Sequence, residues 1–136
     1  MIGLIVLSHG KMANGLIETA AMIIGSKATE KVKALELKEG ESPEILKDEI
    51  LQTIKSLNAD GEVLILLDLF GGTPSNICAM LACELKIDAV TGVNLPMLLE
   101  VLVQREKHGL KEIVEIAKKA GKEGIVAISD ILDAGR

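Results

Sequence analysis

The residues of this chain best suited to chemistry are few, and they sit in three turns. His9 lies in Ser8-His9-Gly10, Asp68 opens the segment Asp68-Leu69-Phe70-Gly71-Gly72-Thr73-Pro74, and Gly92 to Pro96 is a third polar stretch. A neutral imidazole, with an unperturbed pKa of ~6.5, offers one ring nitrogen as a nucleophile near neutral pH. Turned on a phosphoryl group, it would form a phosphoramidate labile enough to pass the group onward. The second ring nitrogen must then be held as a donor by a carboxylate or carbonyl on the far side of the ring. Asp68 is the candidate for that task. It would also repel an incoming phosphoryl group, and the Gly71-Gly72-Thr73-Pro74 turn offers compensation. Glycines admit close backbone approach, a helix N-terminus presents free N–H groups to an anion, Thr73 adds a hydroxyl, and Pro74 has no N–H to lose.

Each turn taken alone also has a plain structural reading. A histidine after a strand can be a hydrogen-bonded turn residue, Asp68 can cap its own turn, and Gly-Gly-Thr-Pro can be a tight connection. Neither the phosphate-loop nor the dinucleotide fingerprint is present. Asn94 and Pro96 read as a helix cap and a helix start. His108, beside Gly109, reads as a solvated loop residue. Only the combination of the three turns makes a site.

For the turns to meet, the elements between them must bring them together. Ile2–Leu7 and Glu62–Leu67 are nearly continuous aliphatic runs, as expected of strands buried on both faces of a parallel sheet. Lys31–Leu37 alternates with charges and reads as a strand near the sheet edge. Ile87–Val93 and Gly124–Ser129 read as further strands. Helical stripes run over Met12–Ile24, from Pro43 behind an Ser42 N-cap to Leu57, from Pro74 behind a Thr73 cap to Leu85, over Met97–Glu106 and over Leu110–Ala120. The alternation predicts an α/β fold: an open, mainly parallel, doubly wound sheet of four to five strands with helices on both faces, residues 1–136 forming one domain. In such sheets chemistry gathers at the carboxyl ends of the strands, where strand order reverses. All three turns fall at those ends.

Composition narrows the function. Apolar residues make up 49% of the 136, nearly all aliphatic, and Phe70 is the only aromatic residue. With no stacking platform and a formal net charge of -5, nucleic-acid binding is not expected. No cofactor and no metal are expected either; Cys78 and Cys83, five apart on a helix, read as two buried free thiols suited to a reducing cytoplasm. The opening segment lacks a basic n-region and a cleavage pattern, and no stretch reaches the ~18 apolar residues of a membrane span, so association with a membrane would come through partners.

Ser8-His9-Gly10, Asp68-Leu69-Phe70-Gly71-Gly72-Thr73-Pro74-Ser75-Asn76 and Gly92-Val93-Asn94-Leu95-Pro96-Met97-Leu98-Leu99-Glu100 together resemble the enzyme IIA component of the mannose/fructose/sorbose class of bacterial sugar phosphotransferase systems. The resemblance covers essentially the whole chain. It implies a cytoplasmic phosphotransferase in which His9 accepts a phosphoryl group from the phosphocarrier protein HPr and gives it to enzyme IIB, which serves the membrane IIC/IID permease. It also implies that Asp68 holds the ring through Nδ1, leaving Nε2 to be phosphorylated, and that Gly72 and Thr73 contact the phosphoryl group. A homodimer is implied, in some members with the last strand, here Gly124–Ser129, exchanged between subunits. The chain stops at Arg136, so IIB is expected on a separate polypeptide. Phe70 stands where members often carry Trp, which weakens inference about the sugar. Three alternatives compete: the phosphocarrier subunit of a dihydroxyacetone kinase, a non-catalytic regulatory binding module, and a receiver-type module phosphorylated on Asp68. The last needs an acidic metal-binding cluster after the first strand, where this chain has Ser8-His9.

Overall fold

Every strand ladder in the computed structural model, which describes residues 1–57 and 61–135, is parallel. The strands are Gly3–His9 (β1), Val32–Leu37 (β2), Val63–Leu67 (β3) and Ile87–Val90 (β4), in the spatial order β2-β1-β3-β4. The helices are Met12–Ile24 (α1), Pro43–Ser56 (α2), Gly72–Glu84 (α3), Leu95–Gln104 (α4), Leu110–Glu123 (α5) and Ile128–Ala134 (α6), with a 3-10 turn at Ser26–Thr29. The expected α/β class, parallel sheet and two helical layers are all observed.

Period-two alternation divides the core. Leu4, Val6, Leu64 and Leu66 pack on one face against α1, α4 and α5, while Ile5, Leu7, Ile65 and Leu67 pack on the other against α2 and α3. Both central strands are therefore buried on both sides, which is why they read as uninterrupted aliphatic runs. Ser42 caps α2, its Oγ accepting from the Ile45 N–H, and Pro43 opens the helix as expected. Among the described residues no helix is long and apolar enough to cross a membrane.

Four expectations are corrected. Gly124–Ser129 is not a strand: α5 runs up to Glu123 and α6 begins at Ile128, with Ile125, Val126, Ile128, Ile131 and Leu132 exposed. A strand needs a ladder partner, and this segment pairs with none of the four, so the chain closes local helical hydrogen bonds instead. The strand expected over Ile87–Val93 ends at Val90. Thr73 is not the cap of α3: the helix starts at Gly72 behind Gly71, without a side-chain cap, and Pro74 is its third residue. Cys83 is exposed. It lies roughly 140° round the helix from Cys78, off the buried stripe of Ile77, Cys78 and Leu81, and only the Cys78 thiol is buried, which pushes its pKa up to about 11.

Candidate functional site

The chain leaves β1 for β2 on one side, then crosses back to place β3 on the other, so strand order reverses between β1 and β3. A crevice opens at the carboxyl ends of two such strands, because their following segments diverge. His9 is the last residue of β1, and Asp68 follows β3 directly. The Asp68 N–H donates to Leu7 O at 3.2 Å, continuing the ladder one step past the last strand pair and bringing the two residues side by side.

The backbone around His9 is anchored from three directions. Ser8 is fully buried, and its Oγ accepts the Ala13 N–H at 2.7 Å, tying the start of α1 to the end of β1. Gly10 takes φ +58°, a conformation costly for residues with a Cβ, and so turns the chain out of the strand. The His9 N–H donates to Asp68 Oδ2 at 2.8 Å.

The same Oδ2 lies 2.8 Å from His9 Nδ1. An ionised carboxylate only accepts, so this contact keeps a proton on Nδ1 and leaves the lone pair on Nε2. The Asp68 side chain is 12% exposed and the His9 side chain 60%, so the carboxylate is set behind a ring that faces outward. Burial pushes the Asp68 carboxyl up, but the His9 N–H, the His9 ring through its hydrogen bond and through its charge when protonated, and the Leu69 N–H at 2.9 Å from Oδ1 together outweigh it. The carboxyl is held below the usual carboxylate range.

The phosphate-compatible turn lies beside the ring. His9, Gly72 and Thr73 line one cavity of about 500 Å³, together with Lys38, Glu41 and Phe70 among others. Gly71 and Gly72 take φ +112° and +73°, and the Gly71 N–H donates to Ser75 Oγ at 2.9 Å. Gly72 and Thr73 open α3, so their N–H groups have no carbonyl one turn back to bond. A dianion placed against that helix start would meet two free donors and the positive end of the helix dipole.

The third turn does something else. Asn94 caps α4, accepting the Met97 N–H at 3.0 Å, and its Nδ2 donates to Gly121 O at 3.0 Å, clamping α4 to α5. None of Gly92 to Pro96 lines the cavity beside His9. His108 also lies away from it, between α4 and α5, with Nδ1 3.0 Å from Glu112 Oε2. Among the described residues, no group of three or more His, Cys, Asp or Glu is placed to hold a metal ion.

Sequence reasoning missed the Ser8 contact with the start of α1, the Ser75 contact, and the presence of Lys38 and Glu41. The Ser75 contact, in which its Oγ accepts the cap N–H of Gly71 from the fourth helical position, matches no capping pattern readable in the sequence. Lys38 and Glu41 carried no signal either: they reach the site because Leu37 pairs in register with His9, which delivers the segment after β2 to the crevice.

Comparison with known proteins follows the same lines. The chain matches the family EIIA-man, described as PTS system fructose IIA component, over residues 3–118. It is 35% identical over 134 residues to the PTS system fructose-specific EIIA component of Bacillus subtilis, an alignment spanning 98% of this chain and 90% of that one. It is 31% identical over 129 residues to the PTS system mannose-specific EIIAB component of Escherichia coli, covering 93% of this chain and only 39% of that longer protein. The crystal structure of phosphotransferase system component EIIA from Streptococcus agalactiae superimposes with a TM-score of 0.86 at 29% identity, over 96% of this chain and 99% of that one.

Proposed function

The chain belongs to the EIIA-man family of phosphotransferase-system IIA components, and from that premise we propose that it relays a phosphoryl group through His9. The family's place is in phosphotransfer coupled to sugar uptake. The donor in this reading is a phosphohistidine of HPr, the acceptor is a histidine of enzyme IIB, and the route ends at the IIC/IID permease. One observation carries it: the 2.8 Å contact between His9 Nδ1 and Asp68 Oδ2 behind an outward-facing ring.

The neutral His9 ring, with its Nδ1 proton held by Asp68, attacks the phosphorus with the Nε2 lone pair. An Nε2–P bond forms while the donor's N–P bond breaks, and that electron pair leaves with the donor imidazole. No proton has to move. The His9 ring gains positive charge, which the adjacent carboxylate offsets, and the N–H groups of Gly72 and Thr73 receive the phosphoryl oxygens. Most of the protein's contribution is therefore positioning and fixed charge. Transfer to IIB repeats the step with His9 as leaving group. Exposed Leu69 and Phe70, both lining the His9 cavity, give the partner proteins an apolar rim to dock on.

Residues 1–136 act in this scheme as one cytoplasmic domain, and two copies pair through the exposed apolar segment from Ile125 to Leu132. Incubation with phosphoenolpyruvate, enzyme I and HPr should give an acid-labile, base-stable phosphoprotein whose label maps to His9. Label on Asp68, or label that persists in His9→Ala, would overturn the relay. Sedimentation should show a dimer that Ile128→Glu dissociates.

A further inference from the structure

A phosphoryl group on His9 brings a near-dianionic charge next to the Asp68 carboxylate, on a chain of formal net charge -5. Backbone N–H groups supply only partial positive charge. Among the residues lining the cavity beside His9 there is one cation, Lys38. The pairing of β2 with β1 puts Leu37 opposite His9, so Lys38 is the first residue beyond the strand at the carboxyl end of the sheet. Lys38 is exposed and forms no ion pair within 4.0 Å among the described residues.

The carboxylates around Lys38 belong to its own corner of the fold. Glu41 lines the same cavity, and its Oε2 is buried without a hydrogen-bond partner. Glu49, on α2, has its carboxyl pushed up by the neighbouring Glu41 carboxyl first and then by burial, with the Lys38 charge opposing. Lys38 thus shares its corner of the fold with these two acids and is ion-paired to neither among the described residues. A stronger anion arriving in the cavity would draw it away from them.

We propose that Lys38 is a further phosphoryl-binding residue, its ammonium turning from the Glu41 side of the cavity to the group carried on His9. This deepens the relay reading and rests on it. The ammonium would offset the charge that Asp68 and Glu41 repel, in the free phosphoprotein and during transfer.

The test uses the full chain, HPr phosphorylated by enzyme I as donor, and the variants Lys38→Met and Lys38→Arg. Lys38→Met should slow transfer to His9 roughly 3- to 10-fold and raise the pH at which the phosphoryl group titrates, followed by 31P NMR, by roughly 0.5 to 1 unit. The sign follows because losing a cation disfavours the dianion. Lys38→Arg should restore both. Slower transfer with an unmoved 31P titration would assign Lys38 to docking or to the fold and overturn the proposal, as would a Lys38→Met protein indistinguishable from wild type. In both cases label still reaches His9 and the relay stands; wild-type protein that takes no label at His9 brings down the relay itself.

Discussion

The two ends of the parallel sheet each gather polar groups around one basic side chain, and they treat it in opposite ways. At the amino end, Arg105 is 2% exposed, and its guanidinium donates to Ile2 O at 3.1 Å, Ala28 O at 3.0 Å, Lys31 O at 3.3 Å and Glu30 O. Burial pulls its pKa down, with the charges of Glu106 and Glu30 opposing, yet a guanidinium stays protonated in proteins. It stitches the 3-10 turn and the starts of β1 and β2 to the end of α4. At the carboxyl end, His9 has one nitrogen held by Asp68 and the other turned outward. A nearly saturated buried charge makes structure, whereas a ring with one nitrogen held and one left over is placed to do chemistry.

Breaking each end should therefore damage a different property. The largest effect expected is that of His9→Ala, which should cut phosphoryl acceptance from HPr by at least ~10³-fold while unfolding free energy changes by less than ~0.5 kcal/mol, as for an exposed side chain. Arg105→Met should do the converse, lowering stability in urea by about 3–5 kcal/mol as four backbone carbonyls, one buried and three part-buried, lose their donor, with the transfer rate per folded molecule kept. A variant as stable as wild type would erase the contrast.

Asp68→Asn should slow transfer about 10²-fold, because an amide can hold the ring but cannot offset its developing charge. Equal single-turnover rates would remove Asp68 from the mechanism. Gly124→Ala separates chemical from structural turns within the carboxyl end. Its Cβ would fall 2.5 Å from Pro96 Cβ and Cγ, so a loss of roughly 1–3 kcal/mol is expected, with transfer unaffected. A matching fall in transfer would show that the α4–α5 clamp serves the site.

The smallest effect concerns pH. The Asp68 carboxyl has a lower pKa folded than unfolded, so its contribution to stability is fully present above the ordinary value of ~4 and is lost as pH falls through the folded value. Urea midpoints of wild type should thus fall more steeply below pH ~4 than those of Asp68→Asn. Parallel acid limbs would mean that the contact with His9 does not favour the charged carboxyl.

Much of the architecture could be read from the sequence. Strands buried on both faces announce themselves as aliphatic runs, as Ile2–Leu7 and Glu62–Leu67 do, and the caps at Ser42 and Asn94 stand where side chain and backbone are only three residues apart. The family resemblance was legible too, because its three motifs are local strings. Less local features were not. Nothing near Arg105 marks it as buried, since its four carbonyls lie 74 to 103 residues away. Gly124–Ser129 has the composition of a strand, yet it pairs with neither open edge of the sheet, β2 or β4, and composition does not encode that choice of partner.

What the sequence by itself determined is therefore the class of fold, the segments that alternate in it, and the residue types from which a site could be made. Only the tertiary structure decided that His9 and Asp68, 59 residues apart, touch through Nδ1, that Lys38 joins the cavity beside His9, and that the turn at Asn94 serves packing. The physical reason is one of range. Periodicity and capping are set by neighbours along the chain, whereas contacts across a crevice depend on strand order and register, which are fixed when separate segments bury their apolar faces together.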